Sequence, residues 1–85
     1  MNFQVGWTAK KVLKEHVYEN YGRIMNEIYQ LEYTPSPKEF RDKVETIIRK
    51  YSSKTIEEYD VIVMDSDNSK FNYIFTLRKK RKIKT

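Results

Sequence analysis

The chain has 85 residues, of which 39% are hydrophobic, 34% charged and 14% aromatic; 17 Lys and Arg against 12 Asp and Glu leave a net charge of +5. This length supports one small domain, and the many aromatics with only two Gly and two Pro argue against a disordered chain. No window approaches the ~18 apolar residues of a membrane span, residues 1–7 lack the basic and apolar regions of a secretory signal, and the absence of cysteine rules out disulfides and fits a reducing cytoplasm.

Residues 1–7 alternate, Phe3, Val5 and Trp7 against Asn2, Gln4 and Gly6, which predicts a short strand with one buried face. Thr8 then offers an N-cap. Ala9, Leu13, Val17, Tyr21, Ile24, Ile28 and Leu31 recur at steps of three and four, one stripe of an amphipathic helix. Lys11, Glu15, Glu19, Arg23 and Glu27 form a charged ladder on the opposite side. The stripe keeps its phase across Gly22, so the expectation is one long helix, with Gly22 as the place for any kink.

After the break at residues 34–37, Ser36-Pro37-Lys38-Glu39 has Ser at the N-cap, Pro at the first helical position and Glu two residues further on, a capping box. The helix that follows places Phe40, Val44, Ile47, Ile48 and Tyr51 on one face and ends near Ser52 and Ser53. The period then changes to two. Tyr59, Val61 and Val63 alternate with Asp60, Ile62 and Met64; after the polar turn at residues 65–70, Phe71, Tyr73, Phe75 and Leu77 alternate with Asn72, Ile74, Thr76 and Arg78. This reads as a hairpin with one apolar and one mixed face. The fold class expected is α+β, in the order strand, helix, helix, strand, strand, with two amphipathic helices on one face of a small, mostly antiparallel three-stranded sheet.

The positive charge is localised. Residues 78–85 carry Arg78, Lys79, Lys80, Arg81, Lys82 and Lys84, which leaves 11 basic against 12 acidic residues in 1–77. The chain therefore divides into a near-neutral domain, 1–77, and a basic arm, 78–85, continuing the last strand. Such an arm suits phosphate contact, in which each cation releases condensed counterions and affinity depends on salt rather than sequence. Lys10, Lys11 and Lys14 make a second positive spot early in the first helix, where the helix dipole disfavours cations by ~0.3–1 kcal/mol each.

These residues make nucleic acid, DNA or RNA, the first partner expected, through non-specific phosphate contacts. A membrane is not expected, because the arm has no Trp or Phe and the chain no lipidation motif. The alternative is a protein-binding module or inhibitor, or a homodimer, using Ile62, Met64 and Ile74 of the mixed sheet face with the acidic Glu57, Glu58 and Asp60. Among the tyrosines, Tyr21, Tyr51, Tyr59 and Tyr73 fall on buried stripes, whereas Tyr18, Tyr29 and Tyr33 lie off them.

Signals for catalysis, cofactors and metals are poor. His16, the single histidine, has no nucleophile or orienting acid in view. Asp65-Ser66-Asp67-Asn68-Ser69 imitates the start of a calcium loop but has Lys70 and Thr76 where Gly and Glu are needed. Two glycines, Gly6 and Gly22, cannot build a phosphate-binding loop. The expected protein is a non-enzymatic binder without a cofactor. In layout, the opening Phe3-Gln4-Val5-Gly6-Trp7-Thr8-Ala9 and the closing hairpin from Tyr59 to Arg81 resemble the small ribonuclease and gyrase-poison toxins of the RelE/ParE type. That resemblance implies a toxin activity, but the family's additional strand before the last hairpin has no counterpart in the short, polar segment 52–58. No residue here matches a catalytic position of that family.

Overall fold

Eight elements follow one another in the structure, a computed structural model that describes residues 3–31, 36–65 and 73–80. They are β1 (Phe3–Val5), α1 (Trp7–His16), a 3-10 turn (Tyr18–Asn20), α2 (Tyr21–Tyr29), α3 (Pro37–Tyr51), α4 (Ser53–Glu58), β2 (Tyr59–Asp65) and β3 (Tyr73–Lys79). The strands form an open sheet in the order β1-β3-β2, with β3 parallel to β1 and antiparallel to β2. The fold is thus α+β with a mixed sheet. β3 takes the centre because Tyr73, Phe75 and Leu77 on its core face are all buried. A parallel β1–β3 pair needs a long crossover, and the helices provide it. Among the described residues no helix is long and apolar enough to cross a membrane.

The core joins both helical layers to the sheet: Phe3, Ala9, Leu13, Ile24, Ile28, Phe40, Val44, Ile48, Phe75 and Leu77 all belong to one buried cluster. Four rings anchor it. Phe40 stacks on Tyr73 with centroids 5.4 Å apart, and Phe3 lies 5.5 Å from Phe40 and 5.8 Å from Phe75. Helix α3 begins as its capping box dictates, with Ser36 Oγ accepting the Glu39 N–H at 3.2 Å and Pro37 at the first position.

Four expectations need correction. Trp7 is not on the buried face of β1: the strand ends at Val5, and Trp7 opens α1 with 75% of its surface exposed. Gly6, not Thr8, holds the N-cap position, and its carbonyl accepts the Lys10 N–H at 3.1 Å. The long helix is also interrupted, though five residues before Gly22. Val17, at φ −135° and ψ 42°, leaves helical geometry and is followed by the 3-10 turn. The hydrophobic stripe survives because Val17 remains buried at the break, so periodicity alone could not reveal it. Finally, Ser53–Glu58 is a short helix, capped by Ser52 Oγ on the Thr55 N–H at 3.2 Å. Residues 66–70 of the expected polar turn, which include most of the calcium-like segment, Phe71 and Asn72 of the following expected strand, and Tyr33 lie outside the described residues.

The charged ladder of the first helical region does not close on itself. Among the described residues its acid Glu27 bonds across to α3, accepting from Lys50 Nζ at 3.1 Å and from the Tyr51 hydroxyl. The Tyr51 hydrogen bond, followed by that of Lys50, holds the Glu27 carboxyl below its usual value of 4.5. A carboxyl lowered by folding stabilises the fold above its unfolded pKa and loses that effect as pH falls through the lower folded value. The melting temperature is therefore expected to drop more steeply for the native chain than for Glu27→Gln between about pH 5 and pH 3. Thermal melts of both proteins across that interval check this.

The two glycines differ in consequence. A Cβ on Gly6 would lie 2.9 Å from Thr76 Cβ and 3.1 Å from the Phe75 carbonyl oxygen, whereas one on Gly22 meets nothing within 4 Å. Gly6 needs no unusual φ; it is required by the close approach of the β1–α1 corner to β3, sealed by the Gly6 N–H donating to the Phe75 carbonyl at 2.7 Å. Gly6→Ala should destabilise the protein by about 1–3 kcal/mol through overpacking. Gly22→Ala, inside α2, should stabilise it by about 0.4–1 kcal/mol. Urea denaturation of the two variants checks the opposite signs.

Candidate nucleic-acid interface

The mismatch between a short β1 and a long β3 creates the site. Among the described residues β1 pairs with Tyr73, Ile74 and Phe75, and Gly6 turns the chain away beside Thr76. α1 then packs along the remainder of β3 and leaves a groove of about 660 Å³ beside the sheet, lined by residues of both its faces. From α1 the groove receives Trp7, Thr8, Lys11, Val12 and Glu15. From the hairpin it receives Tyr59, Ile62, Met64, Thr76, Leu77, Arg78 and Lys79.

Two groups of cations that are distant in sequence meet here. Lys11 lies one helical turn beyond Trp7, where side chains four apart are neighbours, and its Nζ sits 5.5 Å from the Trp7 ring centroid. Arg78 and Lys79 enter from the end of β3, both exposed. β3 runs through Lys79, so the first two residues of the basic arm belong to the ladder, opposite Asp60 and Tyr59. Among the described residues that line the groove, three are cations and one, Glu15, is an acid, around an exposed indole. Met64 adds an apolar side chain that is 52% exposed, and Ile62 is half-buried beside it.

The other sequence candidates scatter. Lys10 is exposed without lining the groove, and Lys14 turns to the Tyr21 ring, 5.4 Å from its centroid. Lys80 follows β3, donating its N–H to the Glu58 carbonyl at 2.9 Å while its Nζ approaches Asp60 at 3.9 Å. That exposed ion pair is weak, but it links the acidic segment to the arm. Glu57 is exposed at the end of α4, and Ile74 is half-buried, paired across the ladder with Met64. Arg81, Lys82 and Lys84 lie outside the described residues.

Trp7 is the residue that sequence reasoning misplaced. The alternation of Phe3 and Val5 does not extend to Trp7, because the chain starts its helix after Gly6. The i, i+4 pairing of Trp7 with Lys11 was the signal available.

His16 has acquired a partner that the sequence did not show. Its Nδ1 lies 3.2 Å from the buried Thr55 Oγ1, which in turn lies 2.8 Å from Ser52 Oγ, and its ring meets Tyr59 edge-on at 5.5 Å. This chain of hydroxyls ties the end of α1 to the start of α4. Ser52 is already engaged as the helix cap, so the arrangement reads as a structural joint.

No family model matches the chain, and no curated protein or solved structure matches it significantly. The residues themselves carry the functional argument.

Proposed function

We propose that this protein is a non-enzymatic binder of single-stranded nucleic acid, with phosphates held by Lys11, Arg78 and Lys79 and a base stacked on Trp7. The observation that carries this reading is the convergence of Lys11 with the root of the basic arm around an exposed indole. Sequence-tolerant single-strand binding combines a cationic track with aromatic platforms, because every base offers a π-face and every nucleotide a phosphate. Arg81, Lys82 and Lys84 extend the same cationic segment along the chain. A cysteine-free chain of this kind suits the cytoplasm, where nucleic acid is accessible and thiols are reduced.

Because Trp7 is the single tryptophan, its fluorescence reports the site directly. Titration with oligo-dT and oligo-U at low salt should quench it, and added salt should reverse the effect. Trp7→Ala, followed by a labelled oligonucleotide, should lose about 1–3 kcal/mol of affinity, the contribution of one stacked base. Unquenched fluorescence together with undiminished binding by Trp7→Ala would reject the groove as the site. The exposed Met64 beside Ile62 favours a second reading, a protein ligand in the same groove. That reading predicts binding insensitive to salt and no response to oligonucleotides.

A further inference from the structure

We infer that β2 pairs with β2 of a second copy of this chain, joining two three-stranded sheets across a two-fold axis at Ile62. β2 forms one edge of the sheet, and among the described residues no strand lies beyond it. Its seven residues, Tyr-Asp-Val-Ile-Val-Met-Asp, contain none of the lysines, prolines or glycines with which natural edge strands discourage pairing.

The direction of its backbone groups follows from two bonds. The Lys80 N–H donates to the Glu58 carbonyl at 2.9 Å, so these residues face each other as a hydrogen-bonded pair. Antiparallel alternation then turns the amides and carbonyls of Asp60, Ile62 and Met64 toward β3, and those of Tyr59, Val61, Val63 and Asp65 toward the open edge. The Gly6 N–H bond to the Phe75 carbonyl agrees, since it shows Phe75 facing β1 rather than β2.

A second copy is the occupant that the charges favour. Antiparallel pairing of the whole strand about its middle residue sets Val61 opposite Val63, Tyr59 opposite Asp65, Asp60 opposite Met64 and Ile62 opposite itself. No two acids then face each other, which would be destabilising. The outward amides of Val61 and Val63 bond reciprocally, and Ile62 falls at a non-hydrogen-bonded position where Cα atoms approach to about 4.5 Å. The Ile62 and Met64 walls of the two grooves come to lie on one continuous sheet face. The pairing stands or falls independently of the ligand in the groove.

Hydrogen exchange on the native chain tests this at about 20 µM and about 1 mM. The Val61 and Val63 amides should gain protection by about tenfold or more at the higher concentration, while Ile62 and Met64 stay protected at both. Sedimentation should give twice the 10.4 kDa chain mass. The chain has no cysteine, so Ile62→Cys should oxidise readily to a disulfide-linked dimer, within the Cα separation that a disulfide tolerates. Thr46→Cys, at an exposed position of α3, should not. Val63→Pro, which removes an outward N–H, should yield a monomer of unchanged circular dichroism; should it fail to fold, Ile62→Asp serves by placing two acids face to face. A monomer at the higher concentration overturns the inference. So does a dimer in which Val61 and Val63 exchange freely or Ile62→Cys is not trapped.

Discussion

Replacing Lys11, Arg78 and Lys79 together with glutamine should weaken binding to oligo-dT or oligo-U on the order of a hundredfold at about 0.1 M salt. Each single-strand phosphate contact contributes about 0.7 to the slope of log K against log salt, so three lost contacts should flatten that slope by about 2. The slope is the decisive readout, because misfolding would abolish binding without producing a shallower line. The three side chains are exposed and none of them closes an ion pair among the described residues. Their substitution should therefore leave stability within about 0.5 kcal/mol of the native value. Lys10→Gln and Lys14→Gln are the matched controls. Lys10 does not line the groove and Lys14 faces Tyr21, so together they should change the slope little. If the controls weaken binding as much as the triple variant, general charge rather than the groove holds the ligand. Truncation is a blunter instrument than substitution here. Removing residues 78–85 would cut Arg78 and Lys79 out of the ladder with β2 and confuse lost charge with a shortened sheet, whereas removal from residue 81 onward leaves the described strand whole.

Phe40→Ala should be the most destabilising single truncation of the core, by about 3–5 kcal/mol. Phe40 has no exposed surface and touches three other rings, Phe3, Tyr73 and Phe75, at centroid distances of 5.5, 5.4 and 6.2 Å. Its loss opens a cavity where α3, β1 and β3 meet. Domains of this size have total stabilities near 5–15 kcal/mol, so the variant should be partly unfolded at 37 °C and show a lowered urea midpoint. Phe40→Leu retains most of the apolar volume and should cost about 1–2 kcal/mol. Equal losses in the two variants would point to ring geometry rather than cavity volume as the source.

Much of this architecture was legible in residue order, and the reasons are local. The capping box at Ser36 to Glu39 starts α3 because its donors and acceptors lie within four residues of each other. The alternations in β2 and β3 locate two strands and identify their core face, since successive side chains in a strand point oppositely. The clustering of cations in residues 78–85 is likewise a property of the chain itself.

The remaining features depend on contacts between distant segments. The break at Val17 leaves the hydrophobic stripe intact, so no period records it, and the Ser53–Glu58 helix is too short and polar to show one. The pairing of β1 with β3 is a long-range choice that sequence patterning does not encode. That choice has a consequence for function: it ends β1 at Gly6, turns Trp7 outward and lays α1 beside the end of β3. Lys11 thereby reaches the same groove as Arg78 and Lys79. Sequence alone determined that the chain carries +5 and that the excess resides at its C-terminal end. Only the tertiary structure decided that the root of that basic segment lies beside Lys11 and an exposed indole, because the electrostatic field at a site depends on distance in space, not along the chain.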